Sequence, residues 1–353
     1  MAEKFLMKGN EALAEAAIRS GCRHFFGYPI TPQTEVAAYM AKRMPKIGGT
    51  YLQAESEIAA INMVLGCAST GARAMTSSSS PGISLKGEGI SYIIGSDLPC
   101  LIINVMRGGP GLGGIQPSQA DYWQATKAPG HGDGQILVFA PASVQEIVNL
   151  VGKAYDLAET YRMPAMLLAD GMLGQMMEPV EFPDTEPVVH EKPWALTGTK
   201  GERKPNIVNS LYLQPKELED TVKARFERYA AVQEKEVMIE EYQMEDAEFA
   251  VCAYGAMARI VKTAVVKARA QGIKAGLLRP ITLWPFPVKE IGSYGHKVKS
   301  MLCVEMSMGQ MVDDVRLAVN GACPVSFFGR TGGVIPSPAE VLAEIEKMAG
   351  GAK

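Results

Sequence analysis

The sequence has no apolar run long enough to cross a bilayer. The longest candidate, around Tyr92 to Met106, is interrupted by Asp97 and Pro99. Its first residues, MAEKFLMKGNEALAEAA, lack the continuous apolar core and small-residue cleavage site of a secretory signal. The chain is therefore expected to be cytoplasmic, with no membrane partner. Nor is there an excess of charge of one sign. Lys and Arg number 35 against 38 Asp and Glu, a formal net charge of −3, which leaves no general pull toward nucleic acid or anionic lipid. Only four histidines occur, and the six cysteines, at 22, 67, 100, 252, 303 and 323, never form a C-x₂₋₄-C clip. A metal or iron–sulfur centre carried by this chain alone is not expected, and the cysteines read as small, reduced core residues.

What remains is the composition of a globular protein. At 353 residues, with 47% hydrophobic and 21% charged residues, the chain can bury two or three domain cores. Residues 1–180 alternate short apolar runs with helical patterns. Strands are expected at 24–26, 50–52, 74–76, 100–105, 136–139 and 165–168, with helices at about 9–20, 56–68, 82–94 and 143–159. That alternation predicts βαβ units around a mostly parallel sheet. Residues 181–246 form a connector: Glu178 to Pro205 is rich in proline and charge, and Pro215-Lys-Glu-Leu-Glu-Asp opens a helix that the pattern extends to about Tyr242. A second α/β unit is expected over 247–353.

Four strand-to-helix junctions of the first unit hold residues suited to a ligand. Gly27-Tyr28-Pro29-Ile30-Thr31-Pro32 stiffens a loop at a strand's C-terminal end with two prolines around one threonine. In Gln53-Ala-Glu55-Ser-Glu57, Ser56 can cap a helix, and either glutamate is explained by the helix's positive end or by a cleft role as proton donor. Thr76 to Gly82 offers the hydroxyls of Ser77, Ser78, Ser79 and Ser80 together with backbone N–H groups. Arg107-Gly-Gly-Pro-Gly-Leu-Gly-Gly pairs a guanidinium, able to hold a carboxylate bidentately, with glycines that let the backbone approach a ligand. Each alone is as readily a rigid turn or a cap; four at the strand ends of one sheet predict a site. Gly132-Asp133-Gly134 resembles the opening of a metal–diphosphate motif, but that motif needs an Asn roughly 25 to 30 residues on. The stretch from Leu157 to Met163 contains none.

YPITP at 28–32, AESE at 54–57, SSPGISL at 79–85, RGGPGLG at 107–113 and GHGD at 130–133 resemble the α subunit of 2-oxoacid:ferredoxin oxidoreductases. So do YG at 254–255, GLLRPITLWPFP at 276–287 and VEMSMGQM at 304–311, in order along nearly the whole chain. The resemblance is nearest to the ketoisovalerate subgroup. It implies a thiamine-pyrimidine domain over 1–180 and a transketolase-C-terminal-like domain over 247–353. It also implies half of an active site in a hetero-oligomer of anaerobic metabolism. In such a complex a β subunit carries the diphosphate site, Mg²⁺ and a [4Fe-4S] cluster, γ and δ subunits complete the path to ferredoxin, and coenzyme A is co-substrate.

Carried over by motif position, Glu57 matches the glutamate that hydrogen-bonds the aminopyrimidine of thiamine diphosphate and favours its imino tautomer. Thr31 matches the hydroxyl that meets the 2-oxoacid, and Arg107 the guanidinium that steers its carboxylate. Tyr28, Pro29, Ile30 and Ser79 fall in the cofactor-binding segments. Relatives that act on 2-oxoglutarate often have Ser-Thr after RGGP where this chain has Gly111-Leu112. Leu112 thus makes the expected substrate wall apolar and favours a branched aliphatic tail. The implied reaction is oxidative decarboxylation of 2-ketoisovalerate to its acyl-CoA. The alternatives are a 2-oxoglutarate enzyme or a non-catalytic scaffold subunit. A self-contained thiamine enzyme would need the missing Gly-Asp-Gly…Asn motif in the same chain.

Overall fold

The computed structural model describes residues 3–184 and 186–350. In the first part of the chain the elements are β1 (Phe5–Lys8), α1 (Gly9–Arg19), β2 (His24–Gly27), α2 (Thr34–Arg43), β3 (Thr50–Gln53), α3 (Glu57–Ser69), β4 (Ala74–Ser78) and α4 (Ser80–Gly95). They continue with β5 (Leu101–Met106), α5 (Tyr122–Thr126), β6 (Leu137–Phe139), α6 (Val144–Tyr161), β7 (Ala165–Asp170), α7 (Gly171–Gln175) and β8 (Met177–Val180). An extended connector leads to α8 (Pro215–Lys235) and β9 (Ile239–Tyr242). The second part holds β10 (Phe249–Cys252), α9 (Gly255–Ala270), β11 (Ala275–Pro280), β12 (Thr282–Trp284) and α10 (Val288–Gly295). It ends with β13 (Ser300–Glu305), α11 (Met311–Val319), β14 (Val325–Gly329) and α12 (Pro338–Gly350).

Two α/β units result, as the alternation of strands and helices predicts. The first is a seven-stranded sheet in the order β12-β6-β7-β5-β4-β2-β3, parallel except for β12. Strands β4, β5, β6 and β7 are buried along their whole length. Continuous apolar runs are what a parallel sheet covered on both faces requires. Helices α1 and α6 pack on one another, as do α3 and α4. The second unit is a five-stranded sheet in the order β14-β13-β10-β11-β9, with β9 antiparallel at its edge.

Three departures from the sequence pattern matter for how the units join. Helix α8 stops at Lys235, and residues 239–242 instead pair with β11 as β9. A backbone partner at that sheet edge outweighs the helical pattern. The spacing of Leu218, Val222, Phe226, Tyr229 and Val232 predicts one packed stripe on α8, yet only Tyr229 and Val232 are buried, Val222 is half-buried, and Leu218 and Phe226 stay exposed. Their place is taken by buried Arg225, whose guanidinium reaches the Asp97 carboxylate (2.9 Å) and the Gly95 carbonyl (3.1 Å). Finally, β12 follows β11 of the second sheet yet pairs antiparallel with β6 of the first.

Side chains fasten the same seam. Arg279 on β11 is buried and donates both Nη atoms to the Glu146 carboxylate on α6 (2.8 and 2.9 Å) and its Nε to Glu240 on β9 (2.6 Å). Fully buried Gln119 donates its Nε2 to the Tyr254 carbonyl (2.9 Å) and accepts from the Met306 backbone N–H (3.0 Å). Tyr254 returns its hydroxyl to the Gln119 carbonyl (3.0 Å). The Glu305 carboxylate accepts from the backbone N–H groups of Gln310, Met311 and Val312, which fixes the start of α11. The YG and VEMSMGQM segments are therefore where the second unit grips the loop after β5.

Candidate active site

The parallel order β5-β4-β2-β3 carries a reversal. The chain leaves β2 toward β3 on one side, then returns to β4 on the other. The pairing of β2 with β4 ends after His24–Ala74 and Phe25–Met75, while β4 with β5 continues to Ser78–Asn104. The C-terminal ends of β2 and β4 therefore splay, which is where open α/β sheets take ligands. Fully buried Gln33 sits at the opening. Its Oε1 accepts from Ser77 Oγ (2.5 Å), and its Nε2 donates to the Tyr28 carbonyl (3.3 Å), fixing the Tyr28–Thr31 loop.

Glu57 and Glu55 are separated by their surroundings. Ser56 caps α3 by accepting from the Ala59 N–H (3.2 Å), which leaves Glu55 exposed and turns Glu57 inward, 6% exposed. Among the described residues the Glu57 carboxylate makes no hydrogen bond with the protein, although an unpaired buried carboxylate is costly. It lies against Gly82 in the first turn of α4. A methyl group there would overlap Ser78 Oγ and come within 2.6 Å of Glu57 Oε1, so only glycine leaves room. The hydroxyls of Ser78 and Ser79 beside it are also buried and unpaired. A carboxylate acceptor and two free hydroxyls fit the edge of an aminopyrimidine ring, which presents both donors and acceptors.

Arg107 brings the loops after β2 and β5 together. It is buried, and its Nη1 donates to the Thr31 carbonyl (2.9 Å) while Nη2 donates to the Leu112 carbonyl (3.1 Å). Its Nε is buried without a partner. Thr31 and Pro29 are exposed, and Tyr28 and Ile30 are half-buried. Leu112 is 83% exposed, on a loop whose residues Gly111 to Gln116 all face outward. A cavity of about 630 Å³ adjoins this loop between the two units, lined by Ser80, Gly108, Gly111, Asp121, Gln310 and Thr331 among others.

Three polar groups of the site lay outside the motifs singled out in the sequence. Asp121 accepts from Ser80 Oγ (2.6 Å) and Asn104 Nδ2 (2.9 Å), and Ser80 Oγ in turn accepts from the Arg107 backbone N–H (3.0 Å). Burial raises the Asp121 carboxyl above its usual range, against the pull of those two hydrogen bonds. Asn104 was legible as a polar residue in a buried apolar strand. Lys86 was legible too, since it falls on the apolar stripe Ile83–Ile90–Ile93 of α4. Asp121 carries no local signal. Elsewhere, Asp156, Glu159 and His190 converge as potential metal ligands, but Arg73 and Lys192 already form ion pairs with that cluster's carboxylates.

Comparison with known proteins identifies the family. Residues 15–257 match the family described as pyruvate flavodoxin/ferredoxin oxidoreductase, thiamine diphosphate-binding. Residues 247–341 match pyruvate:ferredoxin oxidoreductase core domain II. The chain is 47% identical to the ketoisovalerate oxidoreductase subunit VorB of Methanothermobacter marburgensis, over 98% of each chain. It is 37% identical to the 2-oxoglutarate synthase subunit KorA of Methanothermobacter thermautotrophicus, over 99% of this chain and 100% of that one. A 2-oxoglutarate:ferredoxin oxidoreductase from Magnetococcus marinus, solved with 2-oxoglutarate, coenzyme A and succinyl-CoA bound, superposes with a TM-score of 0.88 at 27% identity. That match covers 98% of this chain and 65% of the other, so this chain spans just under two thirds of that structure's length. A split-gene transketolase, at a TM-score of 0.61, 13% identity and 97% of each chain, shares the fold. The chain belongs to the thiamine diphosphate-binding pyruvate flavodoxin/ferredoxin oxidoreductase family, which acts on 2-oxoacids.

Proposed function

We propose that this chain is one subunit of a hetero-oligomeric, thiamine-diphosphate-dependent oxidoreductase. The complex would convert 2-ketoisovalerate and coenzyme A to the branched acyl-CoA and CO₂, passing two electrons to ferredoxin. The observation that carries the reading is Glu57, a buried carboxylate without a hydrogen-bond partner, at the splayed end of β2 and β4 and facing Gly82 and the Ser78 and Ser79 hydroxyls. Relatives at 46–47% identity that are named for ketoisovalerate support the choice of substrate.

Thiamine diphosphate, when bound, supplies the carbon nucleophile and the electron sink for decarboxylation. Glu57 holds a proton at the pyrimidine edge and exchanges it there. Gly82 lets Ser78 and Glu57 close in on α4, and Ser78 and Ser79 meet the ring's remaining polar atoms. Arg107, tied to the Thr31 and Leu112 carbonyls, keeps N–H groups free for the 2-oxoacid carboxylate, and Thr31 faces the same opening from the β2 loop. The diphosphate, Mg²⁺ and the [4Fe-4S] cluster belong in this reading to a β subunit, with γ and δ subunits leading to ferredoxin. The exposed Gly111–Gln116 loop is the wall such a partner would close, Leu112 lending it an apolar side chain.

The test is anaerobic dye reduction by the complex co-purified from its host, with coenzyme A and thiamine diphosphate, comparing 2-ketoisovalerate, 2-oxoglutarate and pyruvate. Preference for 2-ketoisovalerate is expected. Preference for 2-oxoglutarate would keep the chemistry and overturn the substrate, and no turnover with any of them would leave a scaffold. In the same assay Arg107→Met is expected to raise KM for the 2-oxoacid roughly 10- to 100-fold, the worth of a hydrogen bond to a charged group. An unchanged KM would assign the carboxylate to another residue.

A further inference from the structure

Lys86 is a fully buried lysine inside the candidate site. It lies one helical turn beyond Gly82 on the same face of α4, and so on the side where Glu57 rests. Its Nζ makes one hydrogen bond, to Thr76 Oγ1 on β4 (3.0 Å), although an ammonium carries three donors. On the elements packed against α4, the titratable groups are Glu57 and Cys67 on α3, at opposite ends of that helix, whereas β4 and β5 carry none. On α4 itself, Glu88 and Tyr92 pair with each other at the surface. Asp121 is bonded to Ser80 at the start of α4, six residues before Lys86, and among the described residues Glu57 is the carboxylate whose charge acts on the buried ammonium.

We propose that Lys86 is a positioning residue whose buried positive charge holds the Glu57 carboxylate in place toward the pyrimidine edge, so that proton transfer between Glu57 and the ring depends on Lys86. The inference rests on the assignment of Glu57 made above. Its physical content is a competition. Burial disfavours charge on Lys86 and lowers its pKa from the ordinary 10.5 to about 8, and the Glu57 carboxylate acts against that loss. The two groups thus support each other's charge in a place where neither has a full set of hydrogen bonds.

The same competition makes Lys86 unfavourable for folding. Between pH ~8 and ~10.5 the unfolded chain binds a proton at this lysine that the folded chain does not, so its effect on stability improves as pH rises through that window and is least favourable below it. A methionine of similar length carries no such penalty.

The experiment uses the co-purified complex without 2-oxoacid and follows hydrogen–deuterium exchange at C2 of bound thiamine diphosphate, together with thermal unfolding of the cofactor-free complex. Lys86→Met is expected to slow C2 exchange about tenfold, as the carboxylate loses the cation that holds it toward the ring. It should also remove an alkaline decline in exchange that the unsubstituted complex shows as Lys86 loses its proton. Meanwhile it should raise the Tm at pH 7, with the gain shrinking toward pH 10. Lys86→Gln, which keeps a donor for Thr76, is the second variant and is expected to show the same loss. An unchanged exchange rate and pH profile in both variants would overturn the proposal, as would a lowered Tm at pH 7 with the profile intact. Glu57→Gln is the control: if that change leaves C2 exchange unaffected, the assignment of Glu57 fails. If it abolishes exchange while Lys86 variants behave normally, only the role of Lys86 fails.

Discussion

Turnover of the assembled complex should fall by at least ~10²-fold when Glu57 is replaced by alanine, the scale on which a positioned acid–base group contributes. The change removes a carboxylate that is buried, unpaired by the protein and held against the one glycine whose missing Cβ leaves room beside it. It should not unfold the helix it begins, because the cap of α3 is the hydroxyl of the preceding Ser56, untouched by the substitution. Glu55→Ala supplies the comparison. Glu55 lies two residues away but faces solvent, so its loss should leave the rate unaltered. The measurement is anaerobic dye reduction at saturating thiamine diphosphate, with folding checked by circular dichroism. Equal rates for the Glu57 variant and the unsubstituted complex would take Glu57 out of the mechanism.

The second large effect concerns stability. Arg279 is buried at the seam between the units, and its guanidinium satisfies Glu146 on α6 and Glu240 on β9 together. Arg279→Met leaves both acids without their shared cation in partly buried positions, at a cost of about 3 kcal/mol, the low end for breaking a buried ion pair. The low end applies because the Glu240 side chain remains a third exposed, and solvent screens what is left. Denaturant unfolding of the complex reads this directly. A loss below about 1 kcal/mol would rank the triad with ordinary surface pairs. Replacing Arg279, Glu146 and Glu240 together by apolar residues should recover most of the loss, since the cost lies in stranded charge rather than in absent attraction.

What the sequence disclosed follows the range over which each signal acts. Strands β5 and β7 announced themselves because a strand buried on both faces is largely apolar, and the loops after β2, β3, β4 and β5 because proline, glycine and hydroxyls cluster at strand ends. The choice between Glu55 and Glu57 stayed open from residue types alone, and the Ser56 cap decides it by setting which carboxylate turns inward. Strand β9 was read as helix because its fate depends on a partner, β11, more than thirty residues away. Asp121 gave no sign for the same reason: its partners, Ser80 and Asn104, reach it across the sheet. Lys86 was visible as a charge on an apolar stripe, and only the fold shows Glu57 resting against the same face of α4.

The short strand Thr282–Trp284 has a consequence for how such a chain can be cut or recombined. Although it belongs by sequence to the second unit, its backbone covers the edge of β6 in the first. A fragment ending near residue 246 would be made with that edge bare, a row of unpaired amide and carbonyl groups ready to adhere to any passing strand. Exchanging the C-terminal half for that of a relative would succeed only where the donor brings a three-residue segment that fits Val138 and Phe139. A cut between the two halves would have to supply a new seal for the sheet it opened.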